Sequence, residues 1–147
     1  MEQKTIYSEQ LYVSVAPSEI VTVLGSCVAV CLFDTKNKIS GMNHYLLPLW
    51  NGNGLKSLKY GNISIERLIE AMQAVGAEHR SIEAKIFGGA MLNINSELSV
   101  GPHNISVAID MLRHYHIPLI AQDVGGNRGR KVVFSNEDGS AYVKYSK

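Results

Sequence analysis

Cys27 and His44 sit on what read as the two arms of one hairpin. Cys27 lies in the apolar run Leu24-Gly25-Ser26-Cys27-Val28-Ala29-Val30-Cys31-Leu32-Phe33. His44 lies on the returning run from Lys38 to Pro48, and the turn-prone Asp34-Thr35-Lys36-Asn37 stands between them. With Thr35 and Lys36 as the two loop residues, Asp34 faces Asn37 and Cys27 falls directly opposite His44. Opposed residues on one face have Cβ atoms about 5 Å apart. A loop of even length keeps both side chains on that face. The expectation is a thiol within reach of an imidazole, with their Cβ atoms within about 6 Å.

Such a pair is the minimal equipment for thiol nucleophilic catalysis. A free thiol titrates near about 8.5, so little of it is thiolate at neutral pH. A neighbouring imidazolium stabilises the thiolate and later protonates a leaving group. Gly25 and Ser26, just before the cysteine, let backbone N–H groups approach a developing oxyanion. The competing reading is an inert core cysteine, because cysteine is among the most buried residue types. Of the five histidines, only His44 is embedded in an apolar strand across from a cysteine. His114 and His116, two apart at a helix end, point away from each other and lack a third ligand. His79 falls in a charged, exposed linker, and His103 at a helix start.

The positioning elements follow from periodicity. Extended runs cover Leu11–Val15, Ile20–Leu24 continuing into the hairpin arm Cys27–Phe33, the His44 arm, Ala84–Phe87, Pro118–Gln122, Arg130–Phe134 and Ala141–Tyr145, giving about seven strands. Residues 1–10 are polar and expected to be only partly ordered. The Cys27 strand is apolar on both faces and therefore central in its sheet. Amphipathic helices are expected over Ser64–Val75, with Ile65, Leu68, Ile69, Met72 and Val75 on one face, and from Gly101-Pro102 to before Pro118, with Ile105, Ala108, Ile109 and Leu112. Mostly antiparallel strands with two helices stacked against them predict a layered α+β sandwich. The loop around Trp50 reads either as a plain connector or as a rim shaping access to Cys27, with Trp50 a substrate contact. Gly125 to Arg130 lacks the ending of a phosphate loop and does not open a helix.

Composition narrows the class. The 147 residues suit one domain spanning 1–147. A 46% hydrophobic and 18% charged chain with net charge +1 is that of a soluble globular protein and disfavours nucleic acid or an anionic membrane as partner. No run spans a bilayer and the N-terminus lacks a signal-peptide core, so the expectation is a cytoplasmic protein with no membrane insertion. Cys27 and Cys31 are four residues apart on one strand, too far to pair, which fits a reducing compartment.

Leu24-Gly25-Ser26-Cys27-Val28-Ala29-Val30 followed by Gly41-Met42-Asn43-His44-Tyr45-Leu46-Leu47-Pro48 resembles the CheD family, the chemoreceptor glutamine deamidases. So do Lys85-Ile86-Phe87-Gly88-Gly89-Ala90, Gly101 with Asn104, and Asp123-Val124-Gly125-Gly126 with Arg130, in the family's order over about residues 20–145. The resemblance implies an α/β/β arrangement. It also implies a hydrolase that converts glutamines of methyl-accepting chemotaxis receptors to glutamate through a thioester, releasing ammonia. Cys27 is then the nucleophile and His44 the acid–base group. The family's upstream threonine carries over to Thr22, which besides Thr5 is the only threonine before Cys27. Its hydroxyl would hold the His44 ring in one tautomer. Gly25 and Ser26 supply oxyanion donors, and the Asp123–Arg130 segment shapes either the pocket or only a turn. No metal or organic cofactor is required, and a CheC-type phosphatase is an implied partner. Two alternatives stand beside this: another Cys-His thiol hydrolase, and a module that acts mainly by docking to the phosphatase and receptors.

Overall fold

The computed structural model describes residues 1–92 and 100–146. In chain order the strands are β1 (Glu2–Thr5), β2 (Gln10–Ser14), β3 (Ser18–Leu24), β4 (Val28–Asp34) and β5 (Ile39–His44). Helix α1 (Gly61–Ala74) follows, then β6 (Ile82–Gly88), α2 (Gly101–His114), β7 (Leu119–Val124), β8 (Arg130–Ser135) and β9 (Ala141–Tyr145).

Strand β4 is buried at every position and is central in a sheet of order β2-β5-β4-β6-β7, as its two apolar faces require. All neighbours there are antiparallel except β6 and β7, which are parallel and joined by the crossover through α2. A second sheet, β1-β3-β8-β9, lies against it. Two cores separate the layers. Ile65, Leu68 and Met72 of α1 and Ala108 and Leu112 of α2 pack on Val28, Val30, Leu32 and Ile86. On the other side of β4, Ala29, Cys31 and Phe33 meet Ile20, Leu24, Val132 and Phe134 of the second sheet. The result is an α/β/β sandwich, as expected.

Three expectations are corrected in the elements. Nine strands form among the described residues rather than about seven. The polar N-terminal segment contributes β1, which is exposed throughout and has no apolar period to reveal it. Parallel pairing with β3 holds it, and Ile6 behind it is buried. Helix α1 begins at Gly61, whose N–H donates to the Leu47 carbonyl, three residues before Ser64. Val75 is its exposed C-cap and not part of the packed face. The packed face of α2 runs through Asn104, Val107, Ala108 and Leu112, so Ile105 and Ile109 sit at its margin.

Candidate active site

The β4–β5 turn sets the register of the site. Cys31 pairs with Met42, Asp34 with Ile39 and Val28 with Tyr45. The loop is therefore Thr35–Lys38, two residues longer than the sequence predicts. Ala29 stands opposite His44, and Cys27 lies one diagonal step further along instead of directly across. The cause is Asp34. Its carboxylate accepts from the backbone N–H of Lys36, Asn37 and Glu78 and from the side chains of Asn37 and Ser81. Lys38, at φ 56°, closes the turn by donating to the Asp34 carbonyl. Burial alone would push the Asp34 carboxyl up, but the hydrogen bonds from Asn37, Ser81 and Glu78 outweigh it and hold it well below the usual range. Four loop residues are still an even number, so Cys27 and His44 share the face turned to the second sheet.

On that face His44 meets Thr22. Thr22 is fully buried in β3 and points inward with Ile20 and Leu24. Its Oγ1 lies 2.7 Å from His44 Nδ1 and 2.8 Å from the Ile6 carbonyl. A hydroxyl has one proton, and the carbonyl can only accept it. Thr22 must then accept from Nδ1–H, which leaves the lone pair of a neutral imidazole on Nε2.

Burial sets the charge state. It lowers the His44 pKa from the ordinary 6.5 to about 4. It also pushes the Cys27 thiol up, more than that residue's own backbone N–H brings it down. The resting pair is therefore thiol and neutral imidazole, not the thiolate–imidazolium pair that sequence reasoning expects. No hydrogen bond joins Cys27 to His44 among the described residues, and such contacts commonly tighten only on substrate binding. Cys27 remains partly exposed while Cys31 is buried, and both are free.

The turn before β4 is held through its carbonyls. Ala90 N–H donates to Gly25 O and Gly89 N–H to Cys27 O, while Asn104 Nδ2 donates to Ser26 O at 3.0 Å. Gly88, at φ 102°, allows this approach: a Cβ there would lie 2.2 Å from the Cys27 carbonyl oxygen. In a trans peptide, C=O and the next N–H point opposite ways. The amides of Ser26 and Cys27 are thus turned away from these supports, and neither donates to another described residue.

The remaining predicted residues are engaged in bonds of their own, and Arg130 pairs with Leu24 just before the Gly25–Cys27 turn. Trp50 donates to its own loop at Asn53 O through Nε1 and to Asn62 Oδ1 through its backbone. Arg130 is 2% exposed and spends its guanidinium on Asp123 and on the carbonyls of Asp123, Gly125 and Arg128. It is the clip of the 123–130 segment, whose Gly126 carbonyl accepts from Met91. A cavity of about 260 Å³ opens beside that loop, and neither Cys27 nor His44 lines it. His79 is half-buried, bonded through Nε2 to the Tyr115 carbonyl, and not a free linker residue. Among the described residues no cluster of His, Cys, Asp and Glu could hold a metal ion, and no helix is long and apolar enough to cross a membrane.

The sequence singles out Asn104 only as part of the family resemblance and gives it no role at the site. Its place on the same helical face as Val107 and Ala108 was the available signal for a buried polar group.

A partly exposed cysteine and a tautomer-fixed histidine share one face between two packed sheets of an α/β/β sandwich. The family described as CheD chemotactic sensory transduction matches residues 46–145. Three similar proteins are each named probable chemoreceptor glutamine deamidase CheD. One from Sulfurimonas denitrificans is 54% identical over 98% of this chain and 94% of its own length. One from Trichlorobacter lovleyi is 46% identical over 87% and 81%, and one from Archaeoglobus fulgidus is 39% identical over 84% and 81%. The chain belongs to the CheD family. The family match starts two residues past His44, whereas the Sulfurimonas alignment covers nearly the whole chain.

Proposed function

We propose that this protein is a chemoreceptor glutamine deamidase working through Cys27, His44 and Thr22. Cys27 Sγ attacks the side-chain carboxamide carbon of a receptor glutamine as its proton passes to His44 Nε2. The oxyanion is met by the backbone N–H groups of Ser26 and Cys27, which cost no reorganisation because their peptides are already tied down. His44 returns the proton to the departing nitrogen, so ammonia leaves rather than an amide anion. The thioester is hydrolysed by water activated by the same imidazole, giving glutamate and the free thiol. Burial suits this cycle. An imidazole with a depressed pKa is neutral and ready as base at rest, and once protonated it is a strong acid toward the leaving nitrogen.

The observation that carries the reading is the Thr22–His44 bond, which assigns Nε2 as the free basic nitrogen on the face shared with Cys27. The names of the relatives supply the substrate class. Incubation with a glutamine-bearing receptor fragment tests it: ammonia should be released with the fragment's chain uncut. Cleavage of the chain would instead indicate a thiol peptidase, and an undiminished effect of Cys27→Ala a docking module.

A further inference from the structure

One carboxamide bridges the two halves of the site. Asn104, on the first turn of α2, is fully buried. Its Nδ2 donates to Ser26 O at 3.0 Å and to Leu46 O at 2.9 Å. Ser26 precedes the cysteine, and Leu46 follows the histidine by two residues. Two carbonyl acceptors fix which end of the amide is nitrogen, because the reverse orientation would set three oxygens against each other. The helix turn carrying Asn104 is itself pinned. Tyr45 Oη donates to the Asn104 carbonyl at 2.6 Å, and Gly101 packs so closely on Gly89 and Ala90 that a Cβ would lie 2.5 Å from their carbonyl oxygens.

We propose that Asn104 is a positioning residue of the reaction, holding the Ser26–Cys27 peptide in the one orientation that aims the Cys27 N–H at the oxyanion and fixing the Cys27 turn against the His44 strand. The inference rests on the deamidase reading above. With Ser26 O held on the helix side, the Cys27 N–H must face the other way, beside its own Sγ. Without Nδ2 the Ser26–Cys27 peptide loses the bond that fixes its own orientation between two flanking peptides held elsewhere, and the oxyanion loses a pre-aimed donor. A buried carboxamide whose Oδ1 has no partner among the described residues is an expensive way merely to fill space. Its two aligned donors are what an apolar side chain of that size cannot provide.

The test compares Asn104→Asp, which keeps the shape but presents oxygens to both carbonyls, with Asn104→Ala and with Ile109→Ala, which thins the core packing of the same helix without touching either carbonyl or Asn104. Steady-state deamidation of a glutamine-bearing receptor fragment is measured beside thermal unfolding of the full chain. Both Asn104 variants should lose about 10²-fold in kcat, the scale of a small misplacement of reacting groups, with KM within about twofold. Ile109→Ala should lower Tm comparably to Asn104→Ala yet keep kcat within about twofold of wild type. If Asn104→Asp is too unstable to assay, Asn104→Ala carries the comparison. Equal kcat in Asn104→Ala and wild type, or loss of kcat in Ile109→Ala to the same extent, would overturn the proposal. Inactive wild type would instead sink the deamidase reading on which it rests.

Discussion

Thr22 Oγ1 stands 2.7 Å from His44 Nδ1 across the gap between two sheets, and the same hydroxyl is committed to the Ile6 carbonyl. The tautomer of the imidazole is therefore decided by a strand that contributes nothing else to the site. Thr22→Val should lower kcat by about 10–10²-fold, because the ring is then free to turn or to carry its proton on the wrong nitrogen. It should also cost roughly 1–3 kcal/mol by leaving buried Nδ1–H and Ile6 O unpaired. Thr22→Ser should restore most of both. Kinetics and denaturant unfolding of the two variants check this, and equal activity in Val and Ser would remove the orienting role.

His44 makes stability pH-dependent in a definite direction. The unfolded imidazole protonates near the ordinary 6.5 and the folded one at about 4. Between these values the unfolded chain binds more protons, so stability is complete above about 6.5 and falls as the pH drops toward 4. At about 1.36 kcal/mol per pH unit the difference amounts to roughly 3 kcal/mol. His44→Asn should flatten the stability profile in that window, and it should cut turnover by about 10²–10⁴-fold. His114→Ala and His116→Ala should change neither. A profile equally steep without His44 would contradict the burial argument.

Cys27 should be the thiol that alkylates first, because burial pushes the Cys31 thiol much further above its ordinary value. With neutral partners at rest, the rate at Cys27 should rise about tenfold per pH unit between neutrality and the thiol pKa, following the thiolate fraction. Iodoacetamide labelling with peptide mapping at several pH values reads both. A rate already flat near neutrality would restore the ion pair, and preferential labelling of Cys31 would move the reactive thiol.

Asp34 separates stability from catalysis. Its turn is at the far end of β4 from Cys27, about 20 Å along a strand of this length. Asp34→Ala orphans donors from Lys36, Asn37, Glu78 and Ser81 and should cost roughly 3 kcal/mol. The variant that folds should retain kcat. A proportionate loss of turnover would show that the turn acts on the site through the register.

Much of this arrangement was legible in the sequence. The central position of β4, the shared face of Cys27 and His44 and the α/β/β layering follow from apolar patterning and an even loop. The direct opposition of the pair did not survive, because the turn length is set by contacts from Glu78 and Ser81 to Asp34, far along the chain and without local signature. The same holds for charge state. Spacing suggests an imidazolium beside a thiolate, but packing under the second sheet desolvates both. Strand β1 escaped because it is exposed throughout and is held mainly by its backbone pairing with β3, which leaves no apolar period in the sequence. Asn104 escaped as a positioning group because its partners are carbonyls, which every residue possesses.

The most direct test of the account is the intact mass of a receptor cytoplasmic fragment before and after incubation with this protein. Deamidation replaces a side-chain NH2 by OH, so the fragment should gain the corresponding mass at one or a few glutamines, with ammonia released in equal amount. Cys27→Ala should leave the mass unchanged. A gain that persists in Cys27→Ala, or an unmodified fragment with catalytically competent wild-type protein at Cys27, would contradict the central claim that this thiol converts receptor glutamine to glutamate.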